Sequence, residues 1–270
     1  MKNFLQKLRA SLLKSTKLTR IIGLFWCIYP PFIRIRLPIH AVAYGFSRSG
    51  KSFKWNLRPW ELIGNKYFSL GFSKYEPETQ KFLDQFFGRK RSENLTFLNI
   101  GVNVGIWPLV LSLKYRNIRS LLVEPSPRNT KLLTENLRLN DIDNFEVYAI
   151  AAGNYNGTIE LFENQELTGL SSVIHKTGTS ISVPMHILDQ VIAERVDLIL
   201  IDVEGFEFQV VQGLLQLIEQ YLPVLIVEAS QESLKDISGL LMSFGYLPPI
   251  HLGDETAKQQ NKNWVFEISK

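Results

Sequence analysis

The sequence is poor in the residues that build disulfides and transition-metal sites. Cys27 is the single cysteine among 270 residues, which excludes an intramolecular disulfide and a zinc site built on several thiolates. The histidines are scattered along the chain without metal-ligand spacing, and they are His40, His175, His186 and His251. We therefore predict no dedicated metal site, and the composition fits a reducing compartment such as the cytoplasm.

Acidic residues are missing from the beginning of the chain. The first 60 positions contain 12 lysines and arginines but no aspartate or glutamate. The remaining positions carry 18 basic and 26 acidic residues, so local net charges of +12 and −8 give the overall charge of +4. A split of this size marks a distinct electrostatic unit. We predict a basic N-terminal extension over residues 1–74 and a separate domain over residues 75–270.

The basic extension lacks an uncharged run long enough to cross a bilayer. Its most apolar stretch, residues 21–33, has about 13 residues and contains two prolines, whereas a spanning helix needs roughly 20. From Phe4 to Ile22, apolar and basic residues separate onto opposite sides of a helical wheel. Such a helix either packs on the main domain or attaches residues 1–36 to an anionic membrane surface. No nucleic-acid-binding motif accompanies the charge, so we expect no nucleic-acid partner.

Residues 45–52 match the G-x-x-x-x-G-K-S pattern of phosphate-binding loops. In such a loop Lys51 would contact the phosphates of a nucleotide, and a helix must follow directly. Pro59 leaves room for barely two helical turns, and the residues from Phe53 to Leu57 alternate between apolar and polar as in a strand. We favour a turn between two strands, and a nucleotide-dependent enzyme using Lys51 is the minor alternative.

Beyond Glu93 the chain alternates short aliphatic runs with amphipathic stretches. The predicted strands are residues 97–101, 120–124, 145–151, 197–202 and 224–228, and the predicted helices include residues 105–115, 126–140 and 206–221. Continuous aliphatic strands separated by helices indicate a mostly parallel sheet that is covered on both faces. We therefore predict a doubly wound α/β fold, in which a ligand binds beyond the carboxyl ends of the strands.

Glycines and polar residues cluster where the predicted strands end. The first strand runs into residues 99–105, Asn-Ile-Gly-Val-Asn-Val-Gly, a turn in which glycines let the backbone approach a ligand closely. The second strand ends at Glu124, where a carboxylate accepts hydrogen bonds from the hydroxyls of a ribose. The fourth ends in residues 202–205, Asp-Val-Glu-Gly, which supply two more carboxylates. The alternative is a purely structural turn with a solvated Glu124.

In their order and spacing these motifs resemble those of the FkbM family of methyltransferases. The resemblance runs from Tyr-Glu-Pro at residues 75–77 to Asn-Trp-Val-Phe at residues 263–266, and it includes Val-Glu-Pro-Ser-Pro at residues 123–127 and Ile-Asp-Val-Glu-Gly at residues 201–205. It implies a Rossmann-like class I fold with a seven-stranded sheet whose last strand is antiparallel. It also implies S-adenosylmethionine as the methyl donor and a hydroxyl of a sugar, lipid or natural product as the acceptor.

The resemblance also implies roles for individual residues. Those that would bind the cofactor are Asn99, Gly101, Asn103, Gly105 and Glu124. Asp202, Glu204 and Glu207 would face the acceptor. Apart from the resemblance, residues 157–184 are rich in Thr and Ser, which predicts irregular strands and loops that form an insertion on the acceptor side. Asp202 and Asp189 are the candidate bases for the proton of the acceptor hydroxyl. Two alternatives stay open, a metal ion held by Asp202 and Glu204, and a merely structural Glu204 at a helix N-terminus.

The chain departs from the family pattern at four positions. Asn99 replaces an aspartate, Val102 a small alanine, Ile187 a threonine and Leu200 a lysine. A charge-assisted hydrogen bond lost near the cofactor would weaken binding by roughly one or two powers of ten. Two hypotheses follow, an active methyltransferase for a small-molecule or glycan acceptor, and a catalytically degenerate member that acts as a binding module.

Overall fold

The computed structural model describes residues 76–163, 173, 179–253 and 262–269, together with two strands over residues 41–46 and 52–57. The predicted amphipathic helix of the basic extension lies outside the described residues. So does Lys51, the residue that would contact phosphate in the minor, nucleotide-dependent alternative. Among the residues that are described, no helix is long and apolar enough to cross a membrane.

The two strands near the beginning of the chain form a hairpin. Strand β1 (Ala41–Phe46) pairs antiparallel with β2 (Ser52–Leu57), so that Phe46 lies opposite Ser52. A phosphate-binding loop requires a helix at the position that β2 occupies. The nucleotide-dependent alternative is therefore wrong, because the chain continues as a strand where the helix would have to start.

Among the described residues, ten further strands follow in chain order. They are β3 (Leu95–Ile100), β4 (Ile118–Val123), β5 (Phe145–Tyr148), β6 (Ala151–Ala152), β7 (Gly157–Glu163), β8 (Thr179–His186), β9 (Leu198–Ile201), β10 (Val224–Ala229), β11 (Ile250–Leu252) and β12 (Lys262–Phe266). Seven of them form the central sheet, in the order β11-β12-β10-β9-β3-β4-β5. Neighbours from β10 to β5 are parallel, and β12 is antiparallel to both of its neighbours. This arrangement confirms the predicted doubly wound sheet with an antiparallel last strand.

In the part of the chain that the structure describes, six helices cover the two faces of this sheet. They are α1 (Pro77–Arg89), α2 (Ile106–Lys114), α3 (Pro127–Arg138), α4 (Glu207–Gln212), α5 (Leu215–Tyr221) and α6 (Gln231–Ser243). The first three pack on one face and the last three on the other. Successive side chains of a strand point to opposite faces, so both faces are apolar only if the strands are aliphatic throughout. In β9 all four residues are buried, which explains its continuous aliphatic sequence.

Two predicted elements are split in the structure. The predicted strand 145–151 ends at Tyr148, and Ala151 and Ala152 belong to a separate sheet. The predicted helix 206–221 breaks at Gly213 into α4 and α5. A Cβ atom on Gly213 would lie 2.1 Å from the carbonyl oxygen of Gly153. Glycine at position 213 therefore allows two stretches of backbone to approach where a side chain would collide.

A second sheet of three strands extends beyond the central one. Its order is β6-β8-β7, with β8 parallel to β6 and antiparallel to β7. Leu161, Val183 and Met185 are buried on its inner side, next to Ala151. In the described part of residues 157–184, where irregular strands and loops were predicted, the structure has the regular strands β7 and β8. The second sheet lies at the carboxyl edge of the central sheet, where it bears on the site described next.

Candidate functional site

A cleft opens at the carboxyl ends of β3, β4 and β9, as the doubly wound fold predicts. Its empty volume is about 630 Å³, including the solvent-open mouth. Phe206 and, from β7, Leu161 add apolar walls. The predicted site residues that line the cleft are Gly101, Asn103, Glu124, Asp202 and Glu204.

The strand registers place several of these residues side by side at one level of the sheet. Ile100 of β3 is in register with Val123 of β4 and Ile201 of β9. The next residue on each strand is therefore Gly101, flanked by Glu124 and Asp202. Neighbouring strands lie about 4.8 Å apart, so the two carboxylates are separated by a strand that offers only backbone at this level.

Two glycines shape the turn between β3 and α2, and both have positive φ. Gly101 has a φ of 76°, and a Cβ atom there would lie 1.7 Å from the carbonyl oxygen of Asp202. Gly105 has a φ of 89°, and its Cβ would lie 2.5 Å from Cδ1 of Leu133 on α3. Both glycines are thus required by close packing in the protein itself, in addition to any approach to a ligand.

Glu124 is a buried carboxylate held by three N–H donors. The backbone N–H of Asn103 donates to Oε2 at 2.8 Å, and the backbone N–H of Ser126 donates to Oε1 at 3.0 Å. The side-chain amide of Asn129 donates to Oε1 at 3.3 Å. Burial raises the pKa of Glu124 to about 7, against the lowering effect of these hydrogen bonds. The alternative of a solvated Glu124 is therefore wrong, since only 4% of the residue is exposed.

Asp202 has a different electrostatic environment. It is partly buried at the end of β9, and its backbone N–H donates to the carbonyl of Ile100 at 3.0 Å. Burial raises the pKa of Asp202 well above its ordinary value, and the carboxylates of Glu228, Glu204 and Glu76 raise it further. Asp202 therefore holds a proton more readily than an ordinary aspartate does.

Glu204 lies in the tight turn that joins β9 to α4. Its φ of 55° is left-handed, as is the φ of 53° at Asn103 on the opposite side of the cleft. Non-glycine residues in this conformation are strained, and such strain is concentrated at functional sites. Among the described residues, no cluster of His, Cys, Asp and Glu has the arrangement of a metal site. This finding gives no support to the alternative of a metal ion held by Asp202 and Glu204.

Asn99 occupies the position at which the family has an aspartate, but it does not line the cleft. Only 1% of the residue is exposed, and neither Oδ1 nor Nδ2 has a hydrogen-bond partner. Its register partners are Leu122 and Leu200, both buried on the face covered by α1, α2 and α3. Leu200, which replaces the family's lysine, therefore packs in the core and brings no cation to the cleft.

Asp189 has a structural role in the protein, and it does not line the cleft. It lies in a short 3₁₀ helix, Leu188–Gln190, after β8. Its carboxylate accepts the backbone N–H groups of Gln216 and Leu217, both at 2.9 Å. These amides belong to the first turn of α5, where intrahelical acceptors are missing. Its placement thus argues against the prediction that Asp189 is a base, and for a role as the cap of α5.

Some residues of the site were not predicted from the sequence. Glu76 and Glu228 act on the pKa of Asp202 but lie on other elements, at the start of α1 and at the end of β10. Asn129 and Glu163 act on Glu124 from α3 and from β7. The one available signal was the Tyr-Glu-Pro motif at residues 75–77. Neither the strand registers nor the position of the second sheet could be read from the sequence.

Comparisons with known proteins agree with this architecture. The family model for the methyltransferase FkbM domain matches residues 99–248. A search of curated proteins found no match.

Several solved structures are similar to the chain. The methyltransferase FkbM from Methylobacillus flagellatus KT is 15% identical, with a TM-score of 0.50 over 75% of this chain and 52% of that one. A putative transferase from Pyrococcus horikoshii is 11% identical, with a TM-score of 0.47 over 86% of this chain and 74% of that one. An rRNA methylase from Streptococcus thermophilus is 7% identical, with a TM-score of 0.46 over 71% of this chain and 95% of that one.

The likeness to the Methylobacillus structure shows a shared fold only, because a structure that is 15% identical carries no information on the substrate of this chain. The chain spans about half the length of that structure. The family model, in contrast, matches more than half of the present chain and includes the turn after β3 and the ends of β4 and β9. The chain therefore belongs to the FkbM methyltransferase family.

Proposed function

We propose that the protein transfers a methyl group from S-adenosylmethionine to a hydroxyl of a sugar, lipid or natural-product acceptor. The observation that carries the proposal is the pair of unlike carboxyl groups, Glu124 and Asp202, on the two sides of Gly101. The first is suited to binding a nucleoside and the second to taking a proton. S-adenosylmethionine supplies an electrophilic methyl group, so the protein has to orient the partners and remove the acceptor's proton.

The environment of Glu124 fits a ribose. A carboxylate has about four acceptor positions, and three are used by the N–H groups of Asn103, Ser126 and Asn129. These bonds fix the orientation of the carboxylate and leave Oε2 able to accept a further hydroxyl proton. Leu161 and Pro125, which line the same end of the cleft, offer apolar surface for a base. The other end of the cofactor would lie along the backbone of Gly101 and Asn103.

Asp202 is the residue that we assign to proton transfer. A general base works best when its pKa lies near the working pH, and burial together with the neighbouring carboxylates moves the pKa of Asp202 upward from its ordinary value. Asp202 would accept the proton of the acceptor hydroxyl; S-adenosylmethionine would supply the methyl group to the oxygen, with cleavage of its methyl–sulfur bond, and leave as S-adenosylhomocysteine. Glu204, in the strained turn beside it, contributes a second acceptor for the hydroxyl groups of a sugar-like acceptor.

The first test is calorimetric titration with S-adenosylhomocysteine. We expect micromolar binding by the wild-type protein and a loss of about 100-fold or more in Glu124→Ala, because this variant removes the ribose acceptor and leaves buried N–H groups without a partner. Glu160→Ala is the matched control, since Glu160 lies exposed on β7. Absence of binding by the wild type, or equal binding by the two variants, would contradict the proposed cofactor site.

The second test separates an active enzyme from a binding module. Transfer of a labelled methyl group is measured with a panel of hydroxyl-bearing acceptors, in the wild type and in Asp202→Asn. We expect the variant to keep its affinity for S-adenosylhomocysteine while turnover falls. Binding without turnover on any acceptor would instead favour the catalytically degenerate member that the replacements at Asn99 and Leu200 suggest.

A further inference from the structure

Strand β7 turns one face toward the cleft and the other toward solvent. Leu161 is 2% exposed and lines the cleft, whereas Glu160 is exposed. Glu163 is two residues beyond Leu161 and therefore projects from the same face. It is partly buried, and one of its carboxylate oxygens accepts a hydrogen bond from the hydroxyl of Ser126. The second sheet thus contacts the loop after β4 through the carboxylate of Glu163.

Ser126 is fully buried, and both its backbone N–H and its side-chain hydroxyl form hydrogen bonds. Its backbone N–H donates to Oε1 of Glu124 at 3.0 Å. Its Oγ accepts the backbone N–H of Asn129 at 3.2 Å, which caps the first turn of α3. The hydroxyl proton is the one donor that remains, and Glu163 accepts it. One serine therefore lies between two carboxylates, one from the cleft and one from the sheet that covers it.

We propose that Glu163 is a positioning residue, which fastens the second sheet over the nucleoside end of the cleft through Ser126 and thereby holds Glu124 in its binding orientation. The proposal deepens the proposed function and rests on it for the identity of the ligand. The contact needs no ligand, because Glu124, Ser126 and Glu163 all belong to the protein.

The contact also has an electrostatic consequence. Burial is the main cause of the raised pKa of Glu124, and the negative charge of Glu163 raises it further. The groups that face Glu124 from the loop after β3 and from α3 are the neutral donors Asn103 and Asn129. Removal of the charge at residue 163 therefore shifts the protonation of Glu124 to lower pH, whereas loss of a purely structural contact would leave it in place.

The experiment compares Glu163→Gln, Glu163→Ala and the control Glu160→Gln in the full-length protein. In Glu163→Gln the amide oxygen still accepts the Ser126 hydroxyl, so we expect unchanged folding and a Glu124 titration midpoint, followed by carboxyl carbon NMR, that moves to lower pH. In Glu163→Ala the fastening is lost. We expect faster hydrogen exchange at the amides of Ser126 and Asn103, and S-adenosylhomocysteine binding weaker by about tenfold.

The readouts separate this proposal from the proposed function. If the wild type does not bind S-adenosylhomocysteine, the cofactor assignment fails, while the NMR midpoint and the amide exchange still decide the role of Glu163. If Glu124 titrates identically in Glu163→Gln, Glu160→Gln and the wild type, the proposal is overturned. Unchanged amide exchange in Glu163→Ala would overturn it as well, because Glu124 would then be held without the second sheet.

Discussion

Glu124 at the end of β4 and Asp202 at the end of β9 lie on either side of Gly101, but their surroundings differ in charge. Glu124 meets three N–H donors, and Asp202 meets the carboxylates of Glu228, Glu204 and Glu76. Burial raises the pKa of both groups. The donors favour the charged form of Glu124, and the neighbouring charges favour the protonated form of Asp202. Two similar side chains thereby differ in how readily they hold a proton, and this difference underlies the different roles that we propose for them.

The largest effect is expected from a change at the residue between them. In Gly101→Ala the new Cβ overlaps the carbonyl oxygen of Asp202, and the residue keeps an unfavourable positive φ. We expect a loss of about 3 kcal/mol or more in the free energy of unfolding and a loss of S-adenosylhomocysteine binding. Denaturant unfolding measures the first and calorimetry the second.

Gly239→Ala is the control for this change. Gly239 lies in α6, and a Cβ atom there would have no neighbouring atom within 4 Å, so alanine should stabilise the helix by about 0.5–1 kcal/mol. Comparable stability of the two variants would mean that the ends of β3 and β9 separate easily.

The next prediction tests the different roles of the two carboxylates by matched amide substitutions. Asp202→Asn should lower turnover by about 100-fold, the usual contribution of a general base. It should also raise the free energy of unfolding at pH 8, because it removes a negative charge next to Glu228, Glu204 and Glu76. Glu124→Gln should instead weaken S-adenosylhomocysteine binding. Rates on saturating cofactor and calorimetric affinities provide the two measurements. The comparison fails if both variants lose affinity and rate in the same proportion.

Stability should fall as the pH rises. A carboxyl whose pKa is higher in the folded than in the unfolded chain binds its proton more tightly when folded, so its protonation stabilises the fold. For Glu124, the pKa rises from the ordinary 4.5 to about 7 on folding. This rise contributes roughly 3 kcal/mol to the free energy of unfolding. The contribution is fully present below pH 4.5 and is lost as the pH rises through 7. Asp202 acts in the same direction.

The measurement is urea unfolding between pH 5 and pH 8. The double variant Glu124→Gln, Asp202→Asn should show a smaller decline over this range than the wild type. A wild-type stability that increases toward pH 8 would contradict the raised pKa values.

The smallest effect concerns a third carboxylate, which lies outside the cleft. Asp189→Ala removes the cap of α5, so we expect a loss of about 1 kcal/mol in the free energy of unfolding and unchanged turnover. Asp189→Asn, which keeps one acceptor, should lose less. A large fall in turnover with intact stability would restore Asp189 as a candidate base.

Local sequence patterns predicted most of the fold. Aliphatic runs identified β3, β4, β9 and β10, and the predicted helix over residues 126–140 agrees with α3. In the structure Ser126 caps this helix and Pro127 fits its first turn. The break at Gly213 was missed. At the break Gly213 lies against the backbone of Gly153, which is remote in sequence and leaves no periodic signal.

The residues of the candidate site that directly follow predicted strands could be identified from the sequence. Glu124, Gly101 and Asp202 follow directly from the rule that ligands bind beyond the carboxyl ends of parallel strands. Asp189 follows a strand as well, but its carboxylate turns to the amides of α5. Glu163 and Glu228 needed the pairing of strands that are distant along the chain. A sequence pattern thus identifies which residues end strands, and the tertiary contacts decide what they do there.

The reversed direction of β12 has a consequence for the order in which the site is completed during synthesis. Because β12 runs against its neighbours, its first residues lie at the carboxyl edge, where the amide of Asn263 donates to Oε2 of Glu76 at 3.0 Å and to Oγ1 of Thr79 at 3.1 Å. Glu76 is one of the carboxylates that act on Asp202. A ribosome-bound chain therefore cannot fix this part of the cleft until residue 263 has emerged, 187 positions after Glu76.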